Sequence, residues 1–306
     1  PAARVLTIPR FDRDPLRAMS ALQKLLREGG YAEAHSHMTT LSAFALRAAR
    51  RAGVPVRICH AHSTFDRRSD HYWIKAALRP FAAKDATCRM ACGRLAAQNL
   101  FRRRAKEAII LPNAIDLERF APDPLAKERL QLQGRNLLFV GRFAPQKNLH
   151  FLLDAFALAL QRRPMTLLLL GAGAGEKALR ERAARADLSG RVRFIPQGDP
   201  APWYAASDAF VLPSLYEGFP VVGLEAQAAG LPCLFSDKIT READVCGGAA
   251  FLPLDREAWA AAMAEDAPRL TDCAKRLQQA GYDIRQEAGR LREVYDRALQ
   301  SLVGEE

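Results

Sequence analysis

Two glutamates flank a proline in Glu217-Gly-Phe-Pro-Val-Val-Gly-Leu-Glu225, and that arrangement has a chemical use. Carboxylates accept paired hydrogen bonds from neighbouring hydroxyls, so two of them beside an anion-binding helix end suit a ligand carrying both diols and phosphate. Pro220 is placed to open a helix that Gly230 and Pro232 close. Backbone N–H groups from Gly218 onward would then stand at a helix N-terminus, where an anion such as diphosphate binds. Spacing alone leaves a second account equally open, a solvated loop glutamate followed by one on a helix surface.

A second constellation is Val140-Gly-Arg-Phe-Ala-Pro-Gln-Lys-Asn148. Gly141 lets backbone approach a ligand, while Arg142 and Lys147 place two cations after an apolar strand. Such a pair can neutralise a leaving diphosphate without metal; read by itself, the segment is equally an exposed basic loop. Other signals carry less. Asp12-Arg-Asp14 is an Asp-x-Asp sequence, but it precedes Pro15 and works better as a helix cap than as a metal ligand. Gly171 to Gly175 has Gly-x-Gly-x-Gly spacing, which is weak evidence for a dinucleotide. His35 and His37 follow a strand and are either cleft-facing or ordinary loop histidines. Arg102-Arg-Arg104 with Lys106 reads as a solvated face, or as one that meets membrane phosphates.

The elements that must hold these residues alternate strand and helix almost throughout, which indicates an α/β fold with parallel sheets. A first series of short strands, at 4–8, 31–35, 54–59, 86–91 and 108–111, is separated by helices. Pro112, Pro122 and Pro124 mark a connection, after which strands are expected at 136–140, 166–170, 192–195, 209–212 and 233–235, with a helical stretch at 256–302. Two Rossmann-like domains follow: 1–120, then 121–285, with a C-terminal helix over 286–306 packing back toward the first. A ligand would sit in the cleft the two face, at the carboxyl ends of strands.

Composition bounds the function classes. With 49% hydrophobic and 26% charged residues in 306, the chain reads as globular, and it contains no apolar run long enough to span a membrane. Residues 1–120 hold 22 Lys and Arg against 10 Asp and Glu, whereas 121–306 hold 23 against 24, so the net +11 resides in the first part. A basic face of that kind either serves solubility or attracts phosphate-rich partners such as an anionic lipid surface or a pyrophosphate-bearing substrate. The six cysteines form no Cys-x-x-Cys pair and read as core or strand residues of a reducing cytoplasm.

Taken together, Gly-Arg-Phe-x-x-Gln-Lys-Asn over 141–148 and Glu-Gly-Phe-Pro-x-x-x-x-Glu-Ala-x-Ala-x-Gly-x-Pro over 217–232 resemble the retaining GT-B glycosyltransferases of family 4. Pro112-Asn-Ala-Ile-Asp116 resembles the family's junction motif, with Ala114 where glycine is usual. Leu170-Gly-Ala-Gly173 resembles its Gly-x-Gly turn, and Ser207 to Ser214 its strand before the donor loop. Cys59-His-Ala-His-Ser63 is similar to text in the bacterial capsule and exopolysaccharide branch. The resemblance implies a metal-independent transferase with no cofactor, using a nucleotide-sugar, UDP-linked, as donor. It implies a saccharide or lipid-pyrophosphate-linked acceptor, no nucleic acid partner, and a cytoplasmic place with peripheral contact to the inner membrane face.

Residue by residue, the resemblance gives Arg142 and Lys147 to the donor diphosphate, Glu225 to the ribose hydroxyls and Glu217 to the donor hexose. Gly141, Gly173, Gly218, Phe219 and Pro220 would present backbone to sugar and phosphate, and His60 or His62 would reach toward the sugar. Glu217 is expected to position the sugar rather than attack it. Family members begin with a strand, a glycine-rich loop and a helix before the text that starts here, so the first domain is expected to lack its opening β-α-β region. Two alternatives remain: a nucleotide-sugar epimerase on the same fold, and a fragment that binds donor without transferring.

Overall fold

Asp14 and Pro15 set the first helix, as expected from the sequence: Asp14 Oδ1 accepts the backbone N–H of Arg17 at 3.0 Å and Pro15 takes the first helical position. The structure, a computed structural model, describes residues 4–62 and 71–303. It divides into two units, Pro1–Asn113 with Arg285–Glu306, and Ala114–Ile284. Ser63, the last residue of the Cys59-His-Ala-His-Ser63 text, lies outside the described residues.

In the first unit the order is α1 (Pro15–Gly29), β1 (Glu33–Ser36), α2 (Ser42–Arg51), β2 (Val56–Ala61), α3 (Tyr72–Ala82), β3 (Cys88–Ala91), α4 (Arg94–Phe101) and β4 (Ile109–Ile110). The four strands are parallel and stand in sequence order. Residues 4–8, expected as a strand, are irregular. Val5 is 93% exposed there.

The second unit continues with α5 (Ala126–Arg129), β5 (Arg135–Val140), α6 (Leu149–Arg162), β6 (Met165–Leu170), α7 (Glu176–Ala183), β7 (Val192–Ile195), α8 (Ala201–Ala206), β8 (Ala209–Leu212), α9 (Val221–Ala228), β9 (Cys233–Ser236), β10 (Ala249–Leu252), α10 (Arg256–Ala264) and α11 (Cys273–Gln279). Its sheet is parallel in the order β10-β9-β8-β5-β6-β7. Strand order reverses between β5 and β8, which is where doubly wound sheets open a crevice for ligands. Strands covered on both faces read as continuous apolar runs, and all six residues of β5 are buried.

The last helix, α12 (Ile284–Val303), belongs to the first unit from Arg285 onward. Its Val294 packs with Val56, Ile58, Met90 and Leu111 beneath the first sheet. The helical stretch expected over 256–302 is three helices, because Pro268 and Gly281 cannot continue one. Asp208, from the Ser-Asp text before β8, has a structural task. Its Oδ2 accepts the Asn136 N–H at 2.7 Å and the Lys127 ammonium at 2.9 Å, tying β8 to the start of β5. All six cysteines are free thiols.

Candidate functional site

β5 delivers its chain into Gly141 and Arg142 at its carboxyl end. Gly141 and Gly171 adopt φ of +153° and +147°, open to glycine, and the Gly171–Gly173 turn after β6 lies directly on the Gly141–Phe143 backbone. A Cβ on Gly173 would stand 2.6 Å from the Phe143 carbonyl oxygen, so only glycine permits the two loops this approach. Phe143 itself is buried between Phe139 and Phe194, which anchors the loop that carries the two cations.

Lys147 ends a single 3-10 turn, Pro145–Lys147, and Asn148 in the left-handed region restarts the chain as α6. Lys147 Nζ donates to Glu217 Oε1 at 2.6 Å, and both side chains are largely buried, at 15% and 10% exposure. Two further bonds join the same loops: Leu215 N–H donates to the Gln146 carbonyl at 2.9 Å, and Gln146 Nε2 donates to the Tyr216 carbonyl at 2.8 Å. The loops after β5 and β8 are therefore one hydrogen-bonded body across the reversal of strand order. Arg142 is exposed, and no carboxylate pairs with it among the described residues.

Pro220 caps α9 in extended conformation, with Gly218 exposed and Phe219 stacked on Tyr282 at 5.4 Å and 13°. Glu225 lies on α9, half-buried, and its Oε2 accepts the hydroxyl of Tyr204 on α8 at 2.9 Å. Burial raises the Glu225 carboxyl above its ordinary 4.5, opposed by the Tyr204 hydrogen bond and the charge of Arg119. Burial, aided by the Glu225 charge, also holds Tyr204 well above 10, so it remains a phenol that donates. Gln227, two residues on, is a scaffold: its Oε1 accepts from Val245 and Cys246, and its Nε2 donates to Gly223 and Ala243 carbonyls. The polar atoms of Gln227 are thus spent on the framework, while Glu225 on the same helix is bonded by Tyr204.

In the first unit, His35 and His37 follow one another along β1 and its exit, as His60 and His62 do along β2. Alternate residues share a face of a strand, and the parallel register pairs Ser36 with Cys59, so the four rings converge. His35 Nε2 is 3.1 Å from His60 Nδ1, and His37 Nδ1 is 2.7 Å from His62 Nε2. Tyr295 Oη of α12 holds His35 Nδ1 at 2.7 Å, and Asn113 Oδ1 accepts from His62 Nδ1 at 2.9 Å. Burial and the neighbouring imidazoles push His35 down to about 4 and His60 to about 2, leaving both neutral. His60 Nε2 and, in the second unit, Ser214 Oγ are buried without a hydrogen-bond partner among the described residues.

Sequence reasoning missed Tyr204, Tyr295 and Asn113 as partners, and left His35 and His37 undecided. The His-x-His spacing on two successive strands was the available signal for the quartet. A cleft of about 410 Å³ at the amino ends of the first sheet is lined by Arg89, Arg104 and Glu107. Arg89 and Arg104 are taken by that glutamate and Arg297, which also lines the cleft, by Glu293, and the cleft holds none of the residues above.

Comparison with known proteins places these two units. Residues 1–119 match the family described as Glycosyltransferase Family 4, and residues 134–266 match Glycosyl transferases group 1. The chain is 35% identical over 317 residues to the putative glycosyltransferase EpsF of Bacillus subtilis strain 168, covering 96% of itself and 82% of that relative. It is 31% identical to the UDP-Gal:alpha-D-GlcNAc-diphosphoundecaprenol alpha-1,3-galactosyltransferase of Escherichia coli, over 72% of this chain and 62% of that one. Anabaena HepE, solved with UDP-glucose, superposes with a TM-score of 0.79 at 19% identity, over 96% of this chain and 85% of that one. Sucrose-phosphate synthase from Thermosynechococcus elongatus gives 0.80 at 22% identity, over 98% and 82%. The fold is the two-domain GT-B arrangement of Rossmann-like units, and the chain belongs to the group 1, family 4 glycosyltransferases.

Proposed function

We propose that this glycosyltransferase takes a UDP-sugar as donor and moves the sugar, with retention of configuration, to a saccharide or lipid-pyrophosphate-linked acceptor in exopolysaccharide, capsule or envelope glycan synthesis. The observation that carries the reading is the Lys147–Glu217 pair at the reversal of strand order, with Arg142 exposed beside it and Glu225 held on α9. The names of the relatives support the donor and acceptor classes: one uses UDP-galactose and a diphosphoundecaprenol-linked sugar, and HepE binds UDP-glucose.

In this reading Arg142 and Lys147 stabilise the diphosphate charge that grows as the glycosidic bond breaks. The electron pair of that bond goes to the leaving diphosphate oxygen. The acceptor hydroxyl attacks the anomeric carbon from the same face and gives its proton to the diphosphate. Glu225 accepts the ribose hydroxyls, Glu217 orients the hexose, and Gly141, Gly173, Gly218, Phe219 and Pro220 shape the backbone around them. His60 or His62 contacts the sugar. No metal takes part in the step.

Peripheral attachment to an anionic inner membrane face fits the basic first part of the chain and the surface of α3, where Trp73, Ile74 and Phe81 are 77%, 58% and 50% exposed. No helix among the described residues is long and apolar enough to cross a membrane.

The test incubates the protein with a panel of labelled UDP- and GDP-sugars, with and without undecaprenyl-diphosphate-linked saccharide, and reads the anomeric configuration of the product by NMR. Acceptor-dependent UDP release with a retained anomer, unaffected by EDTA, is expected. Interconversion of UDP-sugars without acceptor, or an inverted product, overturns it.

A further inference from the structure

The sugar contact proposed for His60 or His62 leaves unexplained why ring nitrogens of four histidines converge in one place. His35, His37 and His60 each offer a ring nitrogen, and the three atoms lie within 4.8 Å of one another. His62 stands beside them, its ring 4.0 Å from that of His60 and 4.9 Å from that of His37. Each neutral imidazole has one N–H and one lone pair to place. His60 is 4% exposed, and its Nε2 has no hydrogen-bond partner among the described residues.

We propose that His35, His37 and His60, with His62 as a fourth donor, form a binding site for a borderline divalent transition-metal cation, best matched by Zn²⁺. Imidazole nitrogen is a ligand for zinc, copper and nickel, whereas magnesium and calcium require oxygen. No carboxylate joins the group among the described residues. Tetrahedral zinc at 2.0–2.1 Å from each nitrogen separates its ligands by roughly 3.4 Å. Ring nitrogens stand 2.7 Å apart in His37 and His62, 3.1 Å apart in His35 and His60, and within 4.8 Å of one another across His35, His37 and His60, distances that fall on both sides of that value.

The surroundings also suit an ion. Metal-bound histidines use their second nitrogen to hold an outer partner, which fixes the ring. Tyr295 Oη occupies His35 Nδ1, leaving Nε2 facing the cluster, and Asn113 does the same for His62. All four donors belong to the first unit, and although His60 and His62 are also the residues proposed to contact the sugar, the metal site rests on the ring geometry alone.

The full chain, stripped with chelator and dialysed, is titrated with ZnCl₂ by calorimetry and with CoCl₂ by visible absorption, and with MgCl₂ as the hard-cation control. One saturable equivalent of Zn²⁺ is expected, with a cobalt d–d spectrum of low coordination number and no thiolate-to-cobalt charge transfer. Mg²⁺ should not compete. His37→Gln, at an exposed position, and His60→Gln should each weaken Zn²⁺ at least tenfold, and circular dichroism of both variants controls for folding. Absence of saturable binding, an unchanged affinity in folded His37→Gln, or a thiolate charge-transfer band that assigns the metal to cysteines would each overturn the proposal. All readouts are of binding, so they stand apart from whether sugar transfer is detected.

Discussion

Lys147 Nζ lies 2.6 Å from Glu217 Oε1 and joins the loop after β5 to the loop after β8. Each charge is largely withdrawn from water, so each depends on the other. The cation proposed for the donor diphosphate is therefore held by the carboxylate proposed for the donor sugar. An ammonium has three protons, and one committed to Glu217 leaves two for phosphate oxygens.

Lys147→Ala is accordingly expected to do two things at once. Turnover should fall by about 100-fold or more, the scale for losing one preorganised charge at a developing anion. Stability should also drop, by up to about 3–5 kcal/mol, because Glu217 is left as an uncompensated, largely buried charge. Adding Glu217→Gln to the lysine variant separates the effects. The double variant should recover melting temperature without recovering turnover, and recovery of kcat would remove Lys147 from the chemistry.

Glu225→Ala should weaken UDP-sugar binding more than Glu217→Ala does, by about 2 kcal/mol or roughly 30-fold, the scale of hydrogen bonds to a charged group. Tyr204→Phe removes the hydroxyl that orients Glu225 and should produce a smaller loss in the same sense. Calorimetry with UDP alone isolates the nucleoside end of the donor. An unchanged dissociation constant in Glu225→Ala would refute the ribose assignment.

The same carboxylate sets a pH dependence. Burial raises Glu225 above 4.5, so its neutral form is favoured in the folded chain. Its contribution to stability is fully present below the unfolded value and is lost as pH rises through the raised folded value. Donor binding runs the other way. Ribose hydroxyls donate to the ionised carboxylate, so affinity should fall as pH drops through that raised value. Glu225→Gln should flatten the affinity profile while leaving its upper plateau reduced; an identical slope in both proteins would assign the pH dependence elsewhere.

How much of this was legible in the sequence depends on whether a residue acts through neighbours in the chain or across the fold. Asp14, Pro15, Pro220 and the strands at 192–195 and 209–212 are local signals, and the structure has them where expected. β10 was missed because Ala249-Ala-Phe-Leu252 is a short edge strand behind two glycines, with little to tell it from a loop. The ion pair of Lys147 with Glu217 joins residues distant in sequence, and Tyr204 reaches Glu225 from a separate helix. Neither partner is announced by its own spacing. Asp208 and Gln227 sit inside the motifs yet bond only to framework, which motif text alone cannot distinguish from ligand contact.

Gly173 offers a test of loop packing independent of charge. A Cβ there would press on the Phe143 backbone at 2.6–2.9 Å, and none of the three atoms met is the free end of a side chain that can swing away. Gly173→Ala should therefore push the Gly141–Phe143 segment aside, costing about 1–3 kcal/mol. Because Arg142 rides on that segment, donor affinity should fall while Lys147 keeps its partner. Gly190→Ala, in open space at φ +71°, is the control for backbone strain alone and should leave donor affinity unchanged.

Membrane attachment, if it uses the first unit, has both an electrostatic and an apolar part that salt can separate. Screening lengths shrink from about 10 Å at 0.1 M to 3 Å at 1 M salt, which weakens attraction between the basic part of the chain and anionic lipid. The exposed Trp73, Ile74 and Phe81 would add burial that salt does not weaken. Sedimentation with vesicles containing phosphatidylglycerol should show binding that falls steeply with salt and is weak on neutral vesicles. Trp73→Ala with Phe81→Ala should lower affinity at every salt concentration while preserving the slope, since no charge is removed. Binding that is indifferent to salt would count against the basic face, and a double variant that binds like the parent would exclude α3 as the docking element.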